Sequence, residues 1–291
     1  MPKAATLKRT RRAFRIPHWQ FVAPKSDEGG RKLFSCIQFG MDDRGKWRLN
    51  HCCMRMKSVS PVCYLCGKPH NGKYNRDHVP PKQFFTKKLL YKHNPNLFWL
   101  PTHESCNKDY QHDEDYFAYS LMPFARGSYS GDSLRNKIYD DCKHVEQQRL
   151  LQKVIGEFER QPSGLILPPG IVLKRFEGNR IRRIAWKIVR GLYFSHFDIS
   201  IPEDSPNGCE LVLPDQQPPL PFFHLPQEPI QGQHPAVFDY RFMNYPEIHK
   251  LNYWAMLLWD RIIVIVKFQY PICSCQECVD NRAFHDSLPV P

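Results

Sequence analysis

Apolar residues fall at helical spacing in two stretches of the chain. Leu134, Ile138, Cys142, Val145, Leu151, Val154, Ile155 and Phe158 share one face of a helix predicted from Leu134 to Arg160, which a Pro162-Ser163-Gly164 stop ends. Ile181, Ile184, Ala185, Ile188, Val189 and Leu192 predict a second amphipathic helix from about Ile181 to Tyr193. Before it, Ile171 to Phe176 reads as a short strand closed by a Gly178-Asn179 turn. Residues 202–235 are rich in proline, including Gln217-Pro218-Pro219-Leu220-Pro221, and predict an extended surface connection. Phe238 to Gln269 is β-rich, with a buried strand expected over Arg261 to Phe268. Residues 51–125 are dense in Cys, His, Asn and Pro, the composition of a compact module held more by metal than by core burial. Residues 1–50 form a basic leader with a Gly29-Gly30 break and the aromatics Phe14, Trp19, Phe21 and Phe34. The expected class is therefore α+β: a leader (1–50), a compact module (51–125) and an α+β C-terminal domain (126–291).

Composition narrows the function classes. The 291 residues are enough for a real core, and 42% apolar with 13% aromatic content argues against a mainly disordered chain. A formal charge of +12 favours polyanionic partners, because neutralising phosphates releases their condensed counterions, but it suits DNA, RNA or anionic lipid equally. The most apolar run, Trp254 to Val266, is too short for a membrane helix and is broken by Asp260 and Arg261, so no membrane partner is expected. Lys3, Lys8, Arg9, Arg11, Arg12 and Arg15 have no apolar segment behind them, which excludes a secretory signal and leaves a transit segment, a nuclear address, a phosphate-binding arm or a solvated tail. Eleven cysteines without an export signal point to a reducing, cytoplasmic setting, where paired cysteines more often hold metal than form disulfides.

Cys63-x-x-Cys66 and His103-x-x-Cys106 stand at the spacing of a tetrahedral zinc site. Gly67 permits the tight turn of the first pair. Structural Zn²⁺ would add folding free energy to a segment too small to fold alone. The competing readings are that Cys63 and Cys66 are simply small buried residues, or that His78 completes the site and leaves His103 idle.

Between the pairs lie Asp77-His78-Val79-Pro80-Pro81-Lys82, Asn96-Leu97 and Leu100-Pro101, followed by Cys106-Asn107 and Asp113-Glu114-Asp115-Tyr116-Phe117. These motifs resemble the HNH endonucleases, and more narrowly a group of bacterial and phage HNH proteins in which Lys187-Ile188-Val189-Arg190-Gly191-Leu192-Tyr193-Phe194 is also familiar. The resemblance implies a ββα-metal module, with Asp77-His78 on the first strand of a hairpin and Asn107 on the following helix. His78 would be the general base that deprotonates water, oriented by Asn96. Asp77 and Asn107 would hold one Mg²⁺ or Mn²⁺, apart from the structural zinc on Cys63, Cys66, His103 and Cys106. The position after Asn107 leaves Gln111, no obvious ligand, and His112 as a substitute. Lys82, Lys87 and Lys88 are candidate phosphate contacts, weighed against an ordinary solvated loop.

The expected function is a metal-dependent HNH endonuclease hydrolysing phosphodiester bonds in nucleic acid, DNA first. The alternatives are a non-catalytic zinc-stabilised nucleic-acid-binding module and a partner-gated nuclease subunit of a defence or mobile-element system, with a protein partner or homodimer. Cys273, Cys275 and Cys278 with His285 suggest a second zinc clip, set against unpaired tail cysteines. His51, His70 and His93 read as exposed loop histidines, and Cys52-Cys53 as local packing. Arg180, Arg182, Arg183, Lys187 and Arg190 read as a solvated or phosphate-tracking helix face, and Trp186 as core or edge.

Overall fold

The computed structural model describes residues 35–41 and 47–53 as backbone, and residues 62–92, 97–159, 172–214, 216–217, 228–245 and 247–280. The chain divides into two compact units, Met1–Val59 and Ser60–Pro291. In the first, β1 (Ser35–Met41) pairs antiparallel with β2 (Trp47–Cys53), from Ser35 opposite Cys53 to Met41 opposite Trp47. The leader boundary expected at residue 50 falls inside β2, because the hairpin ladder carries the chain on to Cys53.

The second unit opens with β3 (Asn75–His78) and β4 (Trp99–Thr102), an antiparallel pair with Asp77 opposite Leu100. A six-residue helix α1 (Lys87–Lys92) lies between them, and α2 (Glu104–Leu121) follows directly. Then come α3 (Tyr129–Asp141) and α4 (Val145–Gly156), the two-residue pair β5 (Phe158–Glu159) and β6 (Leu173–Lys174), and the long helix α5 (Gly178–Phe197). The chain continues into a five-stranded antiparallel sheet made of β7 (Asn207–Val212), β8 (Gln231–His234), β9 (Phe238–Tyr245), β10 (Leu251–Leu258) and β11 (Ile262–Gln269), in the order β7-β11-β10-β9-β8. Helix and sheet are thus mixed, as an α+β reading requires. Among the described residues, no helix is long and apolar enough to cross a membrane.

Several expectations change in detail. The helix predicted from Leu134 to Arg160 is two helices, broken at 142–144, where His144 takes an extended backbone and caps α4. The apolar stripe does not survive the break: Leu134, Ile138 and Val154 are buried, whereas Val145 and Ile155 are exposed. Gly178-Asn179 is the first step of α5 rather than a turn, and α5 extends beyond the predicted 181–193 on both sides. The proline-rich 202–235 stretch contains β7 and β8, because Asn207–Phe268 through Val212–Ile263 pair in register with β11. The Pro162-Ser163-Gly164 stop and the Gln217-Pro218-Pro219-Leu220-Pro221 run, apart from Gln217, lie outside the described residues.

The division expected at 125–126 runs through continuous packing. One cluster of buried side chains includes Tyr64, Val79 and Phe117 before that point and Ile188, Trp254 and Val266 after it. Helix α5 is the centre of this core, and its two sides face different neighbours. On one side Trp186 and Tyr193 pack against Phe268, at 5.0 and 5.7 Å between rings. On the other, Lys187, Arg190, Gly191 and Phe194 follow the i, i+3, i+4, i+7 spacing of one helix face and meet the segments around Tyr64 and Val79. Trp259, wholly buried in the turn between β10 and β11, packs tilted against Phe84 at 5.3 Å between rings and donates Nε1–H to its carbonyl at 3.1 Å.

A Cβ built on Gly191 would lie 2.8 and 3.1 Å from the two methyls of Val79 and 3.2 Å from Tyr64. Alanine normally stabilises a helix interior relative to glycine by about 0.5–1 kcal/mol. Here the overpacking cost of about 1–3 kcal/mol dominates, so Gly191→Ala should lower the urea midpoint. Gly156→Ala, where the added methyl meets nothing, is the control that should not.

Candidate metal centre and adjoining cleft

The Cys63–Cys66 turn is closed by its own backbone. Gly67 N–H donates to Cys63 O at 2.8 Å, Cys63 N–H donates to Lys68 O at 2.9 Å, and Gly67 has φ +71°, a region costly for any residue with a Cβ. Helix α2 supplies the second pair. His103 is its N-cap residue and Cys106 sits in its first turn. The ligand atoms of Cys63, Cys66, His103 and Cys106 all lie within 4.8 Å of one another. A tetrahedron on ~2.3 Å zinc–sulfur bonds has edges of roughly 3.8 Å, so the four groups could hold a metal ion such as zinc. His103 Nδ1 faces the sulfurs, 3.2 Å from Cys66 Sγ and 3.9 Å from Cys106 Sγ. Its Nε2–H points away to Pro69 O at 3.1 Å, which leaves the Nδ1 lone pair for a metal. Burial, and then the neighbouring sulfurs of Cys63 and Cys66, push the Cys106 thiol up to about 12, and a bound cation would favour its thiolate.

His78 is not part of this cluster, and His103 is. His70, expected to be an exposed loop residue, is buried beside it, with its ring 5.0 Å from that of His103. Burial is the first cause lowering its pKa. The side chains of His51, Cys52, Cys53 and His93 lie outside the described residues.

Next to the cluster is a cleft of about 420 Å³ between β3 and α2. Successive strand residues point to opposite faces. Asp77 is accordingly buried at the inner wall of the cleft, and half-buried His78 lines its open side. Asn107, Gln111 and Glu114 project from one face of α2 at intervals of four and three, and all line the cleft. Arg76, Lys82 and Lys108 stand on its exposed rim with Glu104. Lys87 and Lys88 are exposed on α1 but do not line it. His112 is outside it too; its carbonyl accepts from Arg180 at 2.7 Å. Asn96 lies outside the described residues.

The charges beneath the cleft come from α5. Lys187 Nζ is buried between two buried carboxylates, 2.9 and 2.8 Å from the oxygens of Asp77 and also bonded to Glu114 Oε1. Tyr64 donates to Asp77 Oδ2 at 2.6 Å. Burial pushes the Glu114 carboxyl up to about 7 while Lys187 pulls it down and Asp77 pushes it up. It also raises the Tyr64 hydroxyl well above its ordinary value. Burial lowers the His78 imidazole, with Asp77 opposing and Lys82 and Lys187 adding, which favours the neutral ring.

The basic set on α5 is therefore not a solvated face. Arg190 is wholly buried, donating Nε–H to Ile201 O at 2.8 Å and an N–H to Leu65 O, behind the cysteine turn. Arg180 and Arg183 both grip Asp113 of α2, at 2.6 and 2.7 Å, while each stacks on a tyrosine ring at 4.2 Å. Only Arg182 of the set is exposed. Trp186 is core, as expected, with Nε1–H donated to Glu203 O at 2.9 Å. Sequence reading missed Tyr64, Glu114 and Lys187 as parts of the site. For Glu114 the signal was available, since it lies seven residues after Asn107, on the same helix face.

A second four-ligand group lies far along the chain. His249, Cys273, Cys275 and Cys278 also bring their ligand atoms within 4.8 Å of one another and could hold a metal ion. His249 takes the place expected of His285, which lies outside the described residues. No protein-family model, curated protein or solved structure matches the chain.

Lys187→Met leaves two buried carboxylates without their counter-ion and should cost about 3–5 kcal/mol in denaturant unfolding, against little for Arg182→Met. The cost depends on pH. Glu114, already above its ordinary 4.5, binds its proton more tightly in the folded state, so stability falls as pH rises from about 4.5 towards about 7. Without Lys187 that folded value rises further, so the loss should be larger at pH 8 than at pH 5.

Proposed function

We propose that the chain is a divalent-metal-dependent nuclease of the HNH type, acting on nucleic acid and on DNA in the first place, with a structural zinc on Cys63, Cys66, His103 and Cys106. The observation that carries the reading is convergence. His78 from a short hairpin and Asn107 from the next helix share one cleft, beside a four-ligand cluster that holds the start of that helix. The order β3, β4, α2 is that of a ββα-metal centre.

His78 is the base in this reading. It is half-buried, its ring is held towards the neutral form, and it faces the open side of the cleft, where it takes a proton from the attacking water. Asp77 and Asn107 are hard oxygen donors that suit Mg²⁺ or Mn²⁺ better than Zn²⁺. Two carboxylates, Asp77 and Glu114, stand against one ammonium, Lys187, so one negative unit is left for a further cation once Glu114 gives up its proton above about pH 7. Lys187 contacts both Asp77 oxygens and Tyr64 donates to Oδ2, but a carboxylate has about four lone-pair sites, so one is left for a cation. Such a cation would stabilise the charge that develops on the scissile phosphate and leaving oxygen. Arg76, Lys82 and Lys108 on the rim attract the phosphate backbone without reading sequence. Tyr64 and Lys187 fix the Asp77 carboxylate, and the cluster at the start of α2 fixes Asn107 one residue beyond its last ligand.

The engagement of Asp77 by Lys187 and Tyr64 is also what favours a second reading, a basic cleft that binds nucleic acid without cutting it. Plasmid cleavage by the purified full chain separates the two. Nicking or linearisation with Mg²⁺ or Mn²⁺ should vanish in EDTA and fall by roughly 10²–10⁴-fold in His78→Ala. DNA binding that weakens with salt, with no divalent-dependent product, would establish the second reading instead.

A further inference from the structure

The second Cys/His group has no part in the cleft, and its construction is specific. His249 comes from the turn between β9 and β10. The turn closes through Leu251 N–H to Ile248 O at 3.0 Å, and its two central residues, His249 and Lys250, both have left-handed backbones, φ +52° and +54°. A β-turn with both central residues left-handed is dominated by Gly, Asn and Asp, because most side chains with a Cβ are strained there. Strain kept at such a position is expected where the side chain has work to do.

The sheet delivers the cysteines to this imidazole. Leu251 at the start of β10 pairs with Gln269 at the end of β11, and Tyr270 N–H continues the ladder to Lys250 O at 3.1 Å. The chain leaving β11 must therefore pass the His249 turn, and Cys273-x-Cys275-x-x-Cys278 follows within four residues. Nδ1 of His249 lies 3.3 Å from both Cys275 Sγ and Cys278 Sγ, and Cys273 Sγ is 3.3 Å from Cys275 Sγ. On the far side of the ring Nε2 faces Glu277 Oε2 at 3.6 Å, the carboxylate partner that commonly orients a metal-bound imidazole. Gln269 Nε2–H donates to Cys278 Sγ at 3.3 Å, as an amide does to a metal-bound thiolate. Three sulfurs and one imidazole nitrogen are a complete, closed donor set for a tetrahedral structural ion.

We propose that His249, Cys273, Cys275 and Cys278 bind a second zinc ion, which fastens the chain after β11 to the β9–β10 turn. Binding displaces the three thiol protons to solvent and leaves the metal with no open position, so the ion is structural. The proposal stands apart from the nuclease reading, because none of its residues lines the cleft.

Native mass spectrometry of the full wild-type chain should show two zinc ions. Metal content should fall from two equivalents to one in Cys275→Ser/Cys278→Ser and, separately, to one in Cys66→Ser/Cys106→Ser. His249→Cys, which rebuilds a four-sulfur site, should keep both ions, while His249→Ala should lose one to a chelator that spares the wild type. A wild-type chain with a single zinc that disappears only with Cys66 and Cys106 would overturn the proposal and leave the first centre intact. A wild-type chain carrying no zinc would overturn both. Because the wild-type count needs no variant, a variant that fails to fold does not shelter the idea.

Discussion

A single buried ammonium constrains the molecule more than any other group. Lys187 lies between Asp77 and Glu114, all three of them buried, and such an arrangement is tolerable only when every partner is in hydrogen-bonding contact. The ammonium can reach that place only if α5 approaches β3 almost backbone to side chain. Gly191, one turn after Lys187 on the same face, makes that approach possible. Arg190, between them, ties the same helix to the carbonyl of Leu65 inside the cysteine turn. Three neighbouring residues of one helix thus locate the carboxylate of the cleft, the helix itself and the metal turn.

Helix α2 joins the two kinds of chemistry. Its cap and first turn hold His103 and Cys106, and the next turns hold Asn107, Gln111 and Glu114 towards the cleft. A metal at the cluster acts on the cleft only by fixing where this helix begins. The pairing of Arg180 and Arg183 with Asp113 fixes how it lies against α5. The two helices are cross-linked by charge on one side and by the buried Lys187–Glu114 pair on the other.

What sequence reading reached, and what it missed, follow from range. The two Cys/His pairs, α5 and the β-rich C-terminal region depend on short spacings or on strong periodicity, and all were legible. Lys187 and Arg190 were misplaced because a charged residue scores as surface in any periodic scan; apart from Ile201, the partners that reverse this lie 73 to 125 residues away. The break at 142–144 escaped because Cys142 and Val145 keep the helical spacing even where the backbone does not. Strand β7, Asn-Gly-Cys-Glu-Leu-Val, is an edge strand with polar positions facing out, so it scarcely differs in composition from the loop around it. His249 was invisible as a ligand because turn position and cysteine run meet only through the β10–β11 ladder.

The corner made by Trp259 gives the molecule an order in time as well as in space. That ring closes the core beneath Phe84 across 175 residues, and Lys187 reaches Asp77 across 110. Contacts of such separation carry a larger chain-closure cost than local ones, and that cost must be met before they yield any gain. During synthesis, which proceeds from the N-terminus, the cysteine turn and the β3–β4 hairpin leave the ribosome long before the helix and the indole that complete them. Until those arrive, the cleft's carboxylates lack their ammonium and Phe84 lacks its cover. The cleft and the cysteine turn encoded in the first half of the chain are completed only when the second half has been made.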